Sequence, residues 1–65
     1  MSWLQEKRIE KGLTQEEVAQ IVGVNRASLS KVESGKTSPS VRLAQRLGAA
    51  LEFDWTRFYE TEKEN

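Results

Sequence analysis

Neither cysteine nor histidine occurs in this 65-residue sequence. Disulfides are therefore excluded, as are zinc fingers and the zinc or haem sites built on these ligands. No apolar run is long enough to span a bilayer, and no charged-then-apolar leader opens the chain. A soluble cytoplasmic protein is the expectation, and the missing cysteines fit a reducing compartment. Proline occurs once, and repeats, low-complexity tracts and linkers are absent. The chain holds one small domain, and with Met1 at its head it reads as a complete small protein rather than a fragment of a longer one. A domain of this size buries roughly 60% of the surface its unfolded chain exposes, so its stability is marginal. Tidy helix packing or a partner subunit must supply what disulfides and metals cannot.

Net charge is lacking too, ten basic residues balancing ten acidic ones. The distribution is uneven. Between Arg26 and Arg46 stand Arg26, Lys31, Lys36, Arg42 and Arg46 against Glu33 alone, whereas from Glu52 to Glu64 acidic residues dominate. The middle is basic and the tail acidic, which favours an anionic partner for the middle. Catalytic constellations are missing as well. Glu16 and Glu17 are adjacent and diverge around a helix, and the chain has no nucleophile–base pair, phosphate-cradling glycine loop or carboxylate cluster. Neither an enzyme nor a holder of metal or cofactor is expected.

What is present is a series of helix signals. Ser2 with Gln5 reads as a capping box for a first helix ending near Lys11 at Gly12, its apolar stripe formed by Trp3, Leu4 and Ile9 with the stem of Lys7 beside them. Thr14 with Glu17 is a second capping box, and Glu16 and Glu17 suit the positive end of that helix dipole. Val18, Ala19 and Val22 form its buried face, and Gly23 ends it. Asn25 caps a third helix, residues 25–34, in which Leu29 and Val32 point inward and Arg26, Ala27, Ser30 and Lys31 do not. Gly35 closes it. Ser38-Pro39 reads as a cap followed by proline at the first helical position. Val41, Ala44, Leu47 and Leu51 then mark a helix face, with Gly48 inside it signalling the close approach of a neighbouring helix. Asp54 caps a short last helix, and Phe53, Trp55 and Phe58 complete the core. Trp3 and Tyr59 either finish the core or form a dimer surface.

Two short helices meeting at Gly23-Val24-Asn25 make a helix-turn-helix. The second of them must be apolar on one face, to be fixed on the scaffold, and must reach base edges from its other face. Leu29 and Val32 meet the first requirement. For the second, Arg26 can present two donors to guanine O6 and N7, and Lys31 can reach a base or a phosphate. Asn25 and Ser28 are short hydrogen-bonders, and Ala27 offers a methyl group to thymine. Arg42 and Arg46 are either solvated or flank the DNA backbone.

The residues Leu13-Thr14-Gln15, Ala19, Gly23, Leu29, Glu33, Gly35, Pro39-Ser40, Leu47, Leu51, Asp54 and Phe58 carry a wider likeness. With them the chain resembles the Cro/Xre-type helix-turn-helix family of phage and bacterial repressors, from about Lys7 through Phe58. The resemblance implies an all-α, compact five-helix, lambda-repressor-like DNA-binding domain over residues 1–60, followed by a frayed acidic tail, 61–65. It implies that Gln15 binds a phosphate and braces the start of the recognition helix. By the same likeness Arg26, Ala27 and Lys31 stand at base-reading positions, while Lys36 and Thr37 touch the backbone. Arg8 and Glu33 would form an internal ion pair between helices one and three.

Three departures from the family pattern matter. Glu52 stands where the family commonly has glycine, Lys7 where it often has leucine, and Ala27 brings few hydrogen bonds to a reading position. The implied function is a sequence-specific regulator of double-stranded DNA, a repressor rather than an activator, since no separate surface for polymerase or effector is evident. It would act as a homodimer through the region of Phe53, Asp54 and Tyr59. The alternative is a protein-interaction module, such as an antitoxin or an anti-repressor partner, with weak DNA binding.

Overall fold

The computed structural model describes residues 2–60, with only the backbone of Ser2. The expected Ser2 cap and the 61–65 tail lie outside the described residues. Five helices follow one another: α1 (Ser2–Glu10), α2 (Gln15–Val22), α3 (Arg26–Glu33), α4 (Val41–Leu51) and α5 (Arg57–Glu60). Among the described residues there is no strand, and no helix is long and apolar enough to cross a membrane.

α2 is defined by its ends. The Thr14 hydroxyl accepts from the Glu17 amide at 3.1 Å, and the Glu17 carboxylate accepts from the Thr14 amide at 2.9 Å. This reciprocal pair satisfies two donors that the first turn would otherwise leave open. At the other end Gly23 takes φ +82°, and both its amide and that of Val24 donate to the Ala19 carbonyl. A left-handed residue here is cheap only for glycine, which has no Cβ to clash.

Val18, Ala19 and Val22 of α2 join Leu4, Leu29, Val32, Ala44, Leu47, Leu51 and Phe58 in one core. Complete burial of a leucine or valine contributes about 1.5–3 kcal/mol, and Leu4, Leu29 and Leu47 are fully buried. α2 packs on both α3 and α4, while α1 leans on α3.

Several expectations are corrected. Ile9 is 58% exposed and does not belong to the α1 stripe. The inward positions are Leu4 and Arg8, which are four apart and so lie on one face. Ser38 is not the α4 cap. Pro39 is buried ahead of the helix, residues 38–40 stay outside it, and the extended Ser40 accepts at its hydroxyl from the Leu43 amide at 3.1 Å. Val41 therefore occupies the first helical position beyond the edge of the core, 53% exposed. The buried face of α4 is Ala44, Leu47, Gly48 and Leu51. What approaches Gly48 is the returning chain rather than a helix: a Cβ there would lie 2.7 Å from the Phe53 carbonyl oxygen and 3.1 Å from the Trp55 Cβ.

Asp54 does cap the last helix, its carboxylate accepting from the Thr56 amide and hydroxyl. The first turn after it is bonded i to i+3, so regular helix starts only at Arg57. Phe58 is buried, but Phe53 and Trp55 are half-buried and roof the core rather than fill it.

Candidate nucleic-acid interface

The anchored side of α3 holds Leu29, Val32 and Glu33, all buried. Its other side presents Arg26, Ala27 and Lys31, all exposed, with Ser28 and Ser30 half-buried at the border. The Asn25 side-chain oxygen accepts from the Ser28 amide at 2.8 Å. Capping engages that oxygen, while the amide nitrogen of Asn25 stays available to a ligand. The Ser28 hydroxyl, by contrast, is left by that bond to its own partners.

The loop after α3 folds back on the helix. The Lys36 and Thr37 amides both donate to the Lys31 carbonyl, at 2.9 and 3.4 Å. Their backbone donors are thus occupied, and what the loop offers outward is two exposed side chains. Lys36, Thr37 and Lys31 are in this way grouped at the end of α3, with Arg26 at its start.

The brace between the helices differs from the expected one. Gln15 does not reach the start of α3. Its Nε2 donates to Glu33 Oε1 at 2.9 Å, at the far end of the helix. Glu33 Oε2 accepts from Arg8 Nε at 2.8 Å, and Arg8 Nη1 donates to the Leu13 carbonyl at 2.8 Å. One carboxylate ties α1, the α1–α2 turn and the first residue of α2 to the last turn of α3. The ion pair is buried, with the Arg8 and Glu33 side chains 10% and 6% exposed. Gln15 keeps a second amide hydrogen, which remains able to meet a phosphate oxygen.

Gln15 and Arg26 line a single open groove with Gln5, Ile9, Gly12 and Glu16. Arg42 is exposed on α4 and does not line that groove. Two groups take roles that the sequence reading does not give them: there Gln5 belongs only to a capping box, and Arg46 is only solvated or flanking the DNA backbone. Gln5 stands in the groove, with no sequence signal beyond its place on the outer face of α1. Arg46 reaches across from α4 to donate to the Val22 carbonyl at 3.2 Å. A signal for the second existed: α2 has acidic residues in its first turn and no basic residue in its last, which leaves the negative end of its dipole to be met from elsewhere.

The region expected to pair two copies is rich in aromatic side chains. Trp3, Phe53 and Phe58 pack mutually with ring centroids 5.1–5.6 Å apart. The Arg57 guanidinium stands 4.4 Å over the Trp3 ring, which suits a cation–π contact. Trp3 thus takes part in closing the core. Tyr59 packs edge-on against Trp55, and both are half-buried. The hydrogen bonds from Thr56 hold the Asp54 carboxyl below the usual carboxylate range, and Lys11 does the same for Glu52.

The model of the helix-turn-helix family matches residues 4–58. The chain belongs to the Cro/C1-type helix-turn-helix family. It is similar to the uncharacterized HTH-type transcriptional regulator YqaF of Bacillus subtilis, 47% identical over 58 residues, which is 89% of this chain and 76% of that protein. An uncharacterized HTH-type transcriptional regulator of Methanothermobacter thermautotrophicus is 50% identical over 48 residues, 74% of this chain and 70% of its own length. Another, from Archaeoglobus fulgidus, is 46% identical over 44 residues, 68% of this chain and 63% of its own. In the terms of this family, α2 and α3 are the helix-turn-helix pair.

Proposed function

We propose that the protein is a DNA-binding transcriptional regulator that represses by reading the major groove with α3. The reading rests on one observation above the rest: α3 is pinned from behind by Leu29, Val32 and Glu33 while Arg26, Ala27 and Lys31 stand free in front. A rigid helix with donors on its outer face is what base recognition requires. Arg26 would read guanine, Ala27 the thymine methyl, and Lys31 a base or phosphate. Asn25, with its remaining amide nitrogen, and Ser28 would assist at the helix start. Gln15, Lys36 and Thr37 would hold phosphates, with Arg42 at the flank. The family and the relatives named as HTH-type transcriptional regulators support this reading, and regulation of this type would take place in the cytoplasm.

One domain reads only a few base pairs. Two copies about a two-fold axis would read half-sites about one helical turn apart. Phe53, Asp54 and Tyr59 are the proposed contact. Light scattering with and without the operator tests that part, and a strict monomer in both conditions rejects it.

The first experiment is selection of bound sequences from a random duplex pool at one fixed salt concentration. An enriched inverted repeat with half-sites about ten base pairs apart would establish the regulator. No enrichment, with salt-sensitive retention or none, would move the assignment to a protein-interaction module, the reading that net neutrality and the acidic C-terminal segment favour.

A further inference from the structure

We infer that Arg46, which lies outside the helix-turn-helix, is a positioning residue that locks the angle between α2 and α3 and so aims the reading helix. The inference rests on the DNA-binding reading above and adds to it a residue of the scaffold helix.

α2 is eight residues long. A helix of two turns has too few internal hydrogen bonds to hold its own end rigid. Its last carbonyls have no intrahelical partner, and they carry the negative end of its dipole. Ala19 is provided for, since its oxygen takes both the Gly23 and Val24 amides. The Val22 carbonyl, at the last residue before the turn, takes Arg46 Nη1 at 3.2 Å. The cation that α2 lacks in its own last turn is therefore supplied by α4. An arginine hydrogen-bonding a terminal carbonyl opposes the helix dipole and satisfies the orphan acceptor at once.

A second observation comes from Gly23 itself. A Cβ at this position would lie 3.2 Å from the same Nη1. The guanidinium is thus seated against the turn residue, whose glycine is required by φ +82° and whose missing Cβ leaves the space the arginine takes. The turn is only three residues, Gly23-Val24-Asn25, before Arg26 begins the reading helix. Any change of angle at Val22 passes directly to Arg26. Arg46 ties this hinge to α4, whose Leu47 and Leu51 are in the core, and core packing makes α4 a fixed reference.

The test uses Arg46→Met, which keeps much of the apolar stem and loses the donor, and Arg46→Lys, which restores charge and one donor. Binding to the selected operator and to a scrambled duplex is measured across salt concentrations, well below the melting temperature of each variant. Amide hydrogen exchange is followed at Gly23 and Val24. For Arg46→Met the operator affinity is expected to fall roughly tenfold, the loss of one charge-assisted hydrogen bond. The salt slope should stay as in the native protein, exchange at both amides should quicken, and Arg46→Lys should recover most of both effects.

A salt slope shallower by about 0.9 would instead make Arg46 a phosphate contact. Unchanged operator affinity, or unchanged exchange, overturns the inference directly. If the native protein binds no duplex selectively, the DNA reading falls and the aiming role with it. The exchange data then still decide whether Arg46 holds the turn.

Discussion

At the helix-turn-helix each helix end meets a residue suited to it, whereas at the α4–α5 corner the chain accepts a residue that does not suit its place. Thr14, Gly23 and Asn25 are a capping threonine, a left-handed glycine and a capping asparagine, each within one turn of the helix it bounds. At the corner, Glu52 takes φ 62° and is the non-glycine residue with positive φ among the described residues. Left-handed backbone costs an ordinary residue roughly 1–2 kcal/mol. The corner is held in spite of this by distant contacts. Lys11 reaches Glu52 at 2.6 Å from the end of α1, Gly48 admits the Phe53 carbonyl, and three aromatic rings close over it. The half that carries the exposed face of α3 is specified by its neighbours in sequence. The half that supports it is specified by packing.

That contrast can be broken most severely at Glu33, where the helix-turn-helix itself depends on a distant contact. Its carboxylate is local to α3, but its partners come from α1 and α2. Glu33→Ala leaves Arg8 buried without its ion-pair partner and should cost about 3–5 kcal/mol. This approaches the whole stability of a small domain, and the expected result in a thermal melt is a largely unfolded protein at ambient temperature. A melt close to native would mean that Arg8 escapes to water and that the brace is dispensable.

Gly48→Ala probes the corner. Alanine gains up to about 1 kcal/mol in helix propensity, but its Cβ would meet a backbone oxygen that cannot swing away. A net loss of about 1–3 kcal/mol is expected in denaturant unfolding. A gain would show that the 53–55 segment can lift off α4 freely.

Thr14→Ala removes half of the capping box of α2 and should cost about 1 kcal/mol, or roughly 4–8 °C in melting temperature for a domain of this size. If the loss were negligible, the local specification claimed for the helix-turn-helix would be wrong at its best-defined end.

Glu52→Gly has the opposite sign. It releases left-handed strain, forfeits an exposed ion pair of small value, and adds chain entropy to the unfolded state. A gain of about 0.5–1 kcal/mol is expected, seen as a raised melting temperature. A loss would mean that the Lys11 bridge outweighs the strain.

The smallest effect is on pH dependence. Hydrogen bonding and attraction from Lys11 depress the Glu52 carboxyl. A group with a depressed folded pKa contributes stability above its unfolded value, and loses that contribution as pH falls through the folded one. Stability should therefore decline slightly on the acid side of the ordinary carboxylate range. Glu52→Gln should flatten that decline in parallel acid titrations, leaving the part due to Asp54, which Thr56 depresses in the same direction.

Much of the helix-turn-helix was legible in the residues because its determinants are short-range. The Thr14–Glu17 box, Gly23 and the inward pair Leu29 and Val32 are read at separations of three or four positions. The resemblance to the family added the positions proposed to face a groove. The misreadings have a common cause. Ile9, Val41 and Ser38 each satisfy a local pattern, but whether a residue faces the core depends on where neighbouring helices lie. The family likeness places Gln15 at the start of α3, yet it bonds the end, because a side chain eighteen positions from its partner is aimed by the helix crossing.

By itself the sequence determined the number of helices, most of their ends and the outward face of α3, since caps, left-handed glycines and helical periodicity act within one or two turns. Only the tertiary structure decided that Gln15 joins the Arg8–Glu33 pair, that Arg46 stands on the turn, and that Glu52 takes a left-handed conformation at the cost of strain. These choices depend on distances across the core between residues far apart in the chain. No local preference encodes such distances; the packing of α2 against α3 and α4 sets them.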